Sequence, residues 1–102
     1  MTTLTGRQAR HLRALGHHLQ PAVMIGTQGL TPAVLAAIEA NLTAHELIKI
    51  RVQAGCSAGR RPLADELAQR CAAGVAQVLG RTILLYRANP DRDPEERIRL
   101  PA

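Results

Sequence analysis

The stretch PAVMIGTQGLTPAVLAAIEANLTAHELIKIRVQ, residues 21–53, organises the whole chain. Pro21 to Ile25 is a short apolar run closed by Gly26, the pattern of a buried strand. Thr31-Pro32 supplies an N-cap and a proline at the first helical position, which predicts a helix running to about Ala44. Val34, Leu35, Ile38 and Leu42 then share its inward face. From Glu46 to Gln53 the chain alternates, with Ile48, Ile50 and Val52 on one side and Lys49, Arg51 and Gln53 on the other. That is a half-buried strand with a basic outer face. A right-handed strand-helix-strand crossover makes these two strands parallel.

At the turn of this unit stands Gly26-Thr27-Gln28-Gly29. Glycine permits positive φ and removes the Cβ that would keep another backbone at a distance. A helix N-terminus just beyond it favours an anion. The four residues are therefore either a plain strand-to-helix turn or a cradle for a nucleic-acid backbone, as in the GXXG loop of KH domains. Thr27 and Gln28 are uncharged, so ion pairing with a ligand would have to come from Lys49, Arg51 and basic residues upstream.

Those upstream residues lie on a helix expected over residues 4–19. Thr5 and Gln8 form a capping box, and Leu4 and Ala9 occupy the hydrophobic-staple positions. Leu12, Leu15 and Leu19 read as the inward stripe, while Arg7, Arg10 and Arg13 share an outer flank. That flank is either an ordinary solvated face or a cationic surface. Downstream, Gly55 to Gly59 reads as a loop and residues 62–73 as a third helix, with Leu63, Leu67 and Cys71 at spacing four and Gly74 as C-cap. Residues 75–79 and 82–87 read as strands around Gly80-Arg81, the type II′ hairpin signature. The fold class is α/β, in the order α-β-α-β-α-β-β, with one small mixed four-stranded sheet packed against helices. Residues 1–88 form the domain, and residues 89–102 a charged, proline-bearing tail expected to be loosely held.

With 102 residues there is room for one modest core. Thirteen basic residues, all arginine except Lys49, face eight acidic ones, giving +5 and a pI near 10.6. Such basicity is a nucleic-acid footprint, and arginine suits forked contacts to phosphate. A basic domain also fits an acidic protein face. The rival reading is thus a small adaptor whose glycine corner is only structural. Tyr86 is the single aromatic, so the base-stacking platforms of RNA-recognition motifs and OB-folds are missing. Recognition would rest on phosphate, sugar and shape.

Other chemistries lack their residues. The glycine segment has neither the Gly-Lys-Ser/Thr ending of a P-loop nor the third glycine of a dinucleotide fingerprint. Cys56 and Cys71 are 15 positions apart with no second pair, which excludes a CxxC metal site and reads as reduced thiols, Cys71 in the core. His17 and His18 are adjacent, so their rings diverge on a helix, and His11 and His45 lie elsewhere. The expectation is a monomeric non-enzyme without metal, cofactor or small-molecule substrate. No apolar run approaches the roughly 20 residues of a membrane span, and the N-terminus lacks a secretory signal's order, so a cytoplasmic location is expected.

Linked motifs add a resemblance. Leu-Thr-x-x-Gln at 4–8, Leu12, His17-x-Leu-x-Pro21, Gly26-x-x-Gly-Leu-Thr31, His45-Glu-Leu-Ile-Lys49, Gly80-x-x-x-x-Leu-Tyr-Arg87 and RIRLP at 97–101 together resemble the YhbY-like, or CRM (chloroplast RNA splicing and ribosome maturation), RNA-binding domain. The resemblance implies this same element order and RNA binding through Gly26, Thr27, Gln28 and Gly29, with Lys49 as the basic strand residue. It also implies association with precursors of the large ribosomal subunit and its rRNA. Arg7, Arg10, Arg13 and Arg51 enter as candidates from the charge pattern alone. Residues 55–61, GCSAGRR, depart from the family's pattern in being glycine-rich and basic.

Overall fold

Seven elements follow one another in the computed structural model, which describes residues 3–55 and 59–101: α1 (Gly6–Gly16), β1 (Pro21–Ile25), α2 (Pro32–His45), β2 (Leu47–Val52), α3 (Arg60–Arg70), β3 (Gly74–Leu79) and β4 (Thr82–Tyr86). The sheet order is β1-β2-β4-β3, with β1 parallel to β2 and the other two pairs antiparallel. The mixed sheet read from the sequence is therefore the one observed. Cys56 lies outside the described residues. No helix among those described is long and apolar enough to cross a membrane.

Alternation along the strands divides the molecule into three layers. Ile48, Ile50 and Val52 of β2 and Ile83 and Leu85 of β4 point to one face, where Ile38 and Leu42 of α2 and Leu63, Ala64 and Leu67 of α3 cover them. Leu47, Leu84 and Tyr86 point to the other, where Leu12 of α1 meets them with Ala76 of β3. Gly16 lets the end of α1 lie directly on β4, because a Cβ there would stand 2.8 Å from the Leu84 methyls.

Two helix starts and one helix end have a local cause. The Thr5–Gln8 capping box opens α1, with both reciprocal bonds at 3.1 Å. Thr31 caps α2 through Oγ1, which accepts from the Val34 amide at 3.2 Å. At the far end of α3 the expected Gly74 cap is not used. Cys71 is the C-cap, Ala72 takes φ +52, and the Ala73 amide reaches back to the Ala68 carbonyl at 2.9 Å. This is Schellman geometry with alanine where glycine is usual, and it frees Gly74 to open β3.

Three expectations are corrected. Helix α1 stops at Gly16, so Leu19 is no longer helical; Leu19 is 37 % and Leu15 45 % exposed, and only Leu12 of the proposed stripe is buried. For the same reason His17 and His18 do not diverge: their rings stand edge to face with centroids 5.0 Å apart. The segment after Ala88 is not loosely held. Glu46, fully buried at the C-cap of α2, accepts hydrogen bonds from the amides of Asn89 and Ile98, both at 2.8 Å, and from Arg92 at 3.4 Å. Ile98 and Leu100 pack on the α1-side cluster, and Gln8 Nε2 donates to the Pro101 carbonyl. The tail is thus part of the third layer.

Candidate nucleic-acid interface

The glycine corner follows β1 directly and precedes α2. Its turn is closed by the Gly29 amide donating to the Gly26 carbonyl at 3.1 Å, and Gly29 adopts φ +72, the left-handed region that glycine enters without cost. Thr27 and Gln28 at the tip are exposed, and their amides have no hydrogen-bond partner among the described residues. The corner forms a shallow concavity with Thr31, Val34 and Gln53, whose side-chain oxygen stands close over Gly26.

The helix behind it offers less to an anion than the sequence suggested. Pro32 has no amide hydrogen, the Val34 amide is taken by Thr31 Oγ1, and the Leu35 amide bonds to the Thr31 carbonyl. Within that first turn only the Ala33 amide is left over. The donors aimed outward belong to the corner itself.

A second concavity lies between α1 and the outer face of the sheet. Arg10, Arg13 and His17 line one wall, and Lys49, Gln77 and Thr82 the other. Here the fold brings together two helix arginines and the strand lysine that were separated by more than thirty residues of sequence. Arg51 lines neither hollow, but it projects from β2 on the same face as Lys49, two residues nearer the corner, and Gln53 continues that row into the corner. At about 3.3 Å per residue the row from Lys49 to Gln53 spans on the order of 13 Å and links the two hollows. Arg7 is exposed on the first turn of α1 and reaches neither.

Part of the basic charge is neutralised within the protein. Arg61, Arg70, Arg87 and Arg92 are paired with Asp65, Glu66, Glu39 and Glu46 respectively, on α2, α3 and the C-terminal segment. Arg87 also donates to the Cys71 carbonyl and Thr43, tying α2 to the end of α3. Arg10, Arg13, Lys49 and Arg51 have no acidic partner among the described residues, and neither have Arg7, Arg60, Arg97 and Arg99, but the first four share the side of the two hollows. Arg81, named above only for its hairpin, has none either; its backbone carbonyl accepts from the Val52 amide at the corner end of β2. Nothing in its local sequence marks it, because only the β2–β4 register brings it there.

An α/β sandwich with a glycine corner after its edge strand and an unpaired cationic row beside it defines a class. Residues 4–87 match the CRS1 / YhbY (CRM) domain, and the chain belongs to that family. It is similar to an RNA-binding protein of Haemophilus influenzae, 39 % identical over 101 residues that cover 99 % of this chain and 98 % of the relative. It is also similar to the probable RNA-binding protein PA4753 of Pseudomonas aeruginosa, 39 % identical over 87 residues covering 85 % of this chain and 84 % of that one. The solution structure of the hypothetical protein SAV1595 from Staphylococcus aureus matches over 96 % of this chain and 99 % of its own, with 33 % identity and a TM-score of 0.79.

Proposed function

We propose that this protein binds RNA without catalysing a reaction, and that it acts on precursors of the large ribosomal subunit. The observation that carries the reading is the row Lys49, Arg51, Gln53, which joins the α1 groove to the glycine corner, with no acidic residue lining either hollow. The free amides of Thr27 and Gln28 would hold a phosphate or sugar oxygen. The unpaired cations would supply the attraction at longer range. The names of its relatives support the class of ligand, and the family resemblance supports the ribosomal one.

The test is binding of single-stranded RNA against salt. With about four phosphates neutralised, log K should fall with log[salt] at a slope near −3. Replacing Thr27 and Gln28 together by aspartate should abolish binding while leaving the fold intact, since both are exposed. A flat salt dependence, or full binding by the double variant, would overturn the assignment. If the protein instead keeps its partners in lysate after RNase treatment, it is an adaptor for an acidic protein.

A further inference from the structure

The two leucines that leave the expected core of α1 do not simply face water. Leu15 and Leu19 wall a groove of about 420 Å³ with Ala22 of β1, Leu47 and Lys49 of β2 and Ile98 of the C-terminal segment. Its lining is mostly apolar, with the side chains of Gln20 and His45 as the polar groups at hand. The volume falls at the small end of ligand pockets, suited to one flat ring system. Neither leucine is needed where it stands to fill the core, since both are more than a third exposed.

We propose that this groove receives an unpaired nucleobase of the bound RNA, resting on the functional reading above. Continuity selects this occupant. Lys49 borders both this groove and the basic groove of Arg10 and Arg13, so a strand whose phosphate lies at Lys49 places its base at the mouth of the apolar slot. Met24 and Leu79 are exposed as well, but on the two opposite edge strands of the sheet, whereas Leu15 and Leu19 line one groove together. Tyr86, the one residue of the Phe, Trp and Tyr class, is 4 % exposed and offers a base no stacking platform. Gln20 can both donate and accept at a base edge, and the His45 ring offers a further hydrogen-bonding group. Leu15, Leu19 and Ala22 supply the desolvated walls.

The experiment compares two probes of equal charge on the intact chain: a single-stranded RNA heptamer and the same sugar-phosphate backbone without bases. The heptamer should bind roughly tenfold more tightly than the abasic strand, the gain expected from burying one base against aliphatic walls. Replacing Leu15 and Leu19 together by serine should bring the heptamer down to the abasic level, with the abasic affinity and the salt slope unchanged. The melting temperature of that variant verifies the fold. Equal binding of heptamer and abasic strand by the intact chain would overturn the slot. So would a heptamer affinity untouched by L15S/L19S, the result expected if the groove seats an apolar protein segment. In either case the RNA-binding reading stands if R10Q/R13Q weakens both probes. Failure of every probe to bind the intact chain would sink both.

Discussion

The amide of Ile98 donates to Glu46 Oε1 at 2.8 Å, across 52 positions of sequence. Glu46 ends α2 at φ +66, a conformation costing of order 1–3 kcal/mol in a residue with a Cβ. Three donors converge on its buried carboxylate, and the Arg87 amide bonds to its carbonyl. One residue thus stops a helix, starts β2 and anchors the C-terminal segment.

Removing that carboxylate should destabilise the whole domain. Glu46→Ala leaves the Asn89 and Ile98 amides and the Arg92 guanidinium without their acceptor, a loss on the order of 3–5 kcal/mol. Glu46→Gln keeps one acceptor and should cost less. Urea denaturation measures both, and an alanine variant within about 1 kcal/mol of the parent would show the clamp to be dispensable.

Unpaired cations and paired ones should separate in their salt dependence. Each of Arg10→Gln, Arg13→Gln and Lys49→Gln is expected to lower the salt slope of RNA binding by about 0.7. Arg70→Gln, which removes a partner of Glu66 on α3, should leave the slope unchanged. The measurement is fluorescence anisotropy over a salt series, and equal effects in both sets would refute the distinction.

Ala72 offers a stabilising change. At φ +52 an alanine strains where glycine does not, so Ala72→Gly should raise stability by up to about 1 kcal/mol. For a domain of this size that is about 4 °C in melting temperature, read by calorimetry. A fall would mean that the lost alanine methyl outweighs the relieved backbone.

Alkaline pH should weaken the fold through Cys71. Burial first, then the adjoining Glu39 carboxylate, pushes its thiol from 9.0 up to about 11. Tyr86 is raised in the same direction, chiefly by burial and then by Glu46. The folded protein keeps a proton that the unfolded chain releases, so stability is full below pH 9 and is lost as pH rises toward 11. The Cys71 share amounts to roughly 2–3 kcal/mol. Cys71→Ala should flatten most of that decline in denaturation series between pH 8 and 11, and an unchanged slope would assign the decline to other groups.

What could be read from residues alone was what short-range rules govern. The Thr5–Gln8 box, the Thr31-Pro32 start, the β1 limits and the Gly80-Arg81 hairpin are decided within a few residues, and each stands as expected. The alternation of residues 48–53 likewise assigned Lys49 and Arg51 to the outer face of β2, because side chains on a strand have only two directions. Spacing failed at Leu15 and Leu19, since a helical stripe says which residues share a face but not where the helix ends or what lies opposite.

Sequence by itself determined the element order, the parallel β1–β2 unit and the basic character of one sheet face, all consequences of periodicity, turn chemistry and chain handedness. Tertiary structure alone decided that Arg87 and Arg92 are taken up by Glu39 and Glu46, whereas Arg61–Asp65 and Arg70–Glu66 are pairs one helical turn apart. It also decided that Glu46 would gather the C-terminal segment, and that two leucines and Ile98 would wall a groove beside Lys49. Those outcomes depend on contacts between residues far apart in the chain, Arg92 and Glu46 by 46 positions, Arg87 and Glu39 by 48, and Ile98 and Glu46 by 52. Such distances are set by packing the layers together, and no local pattern encodes them.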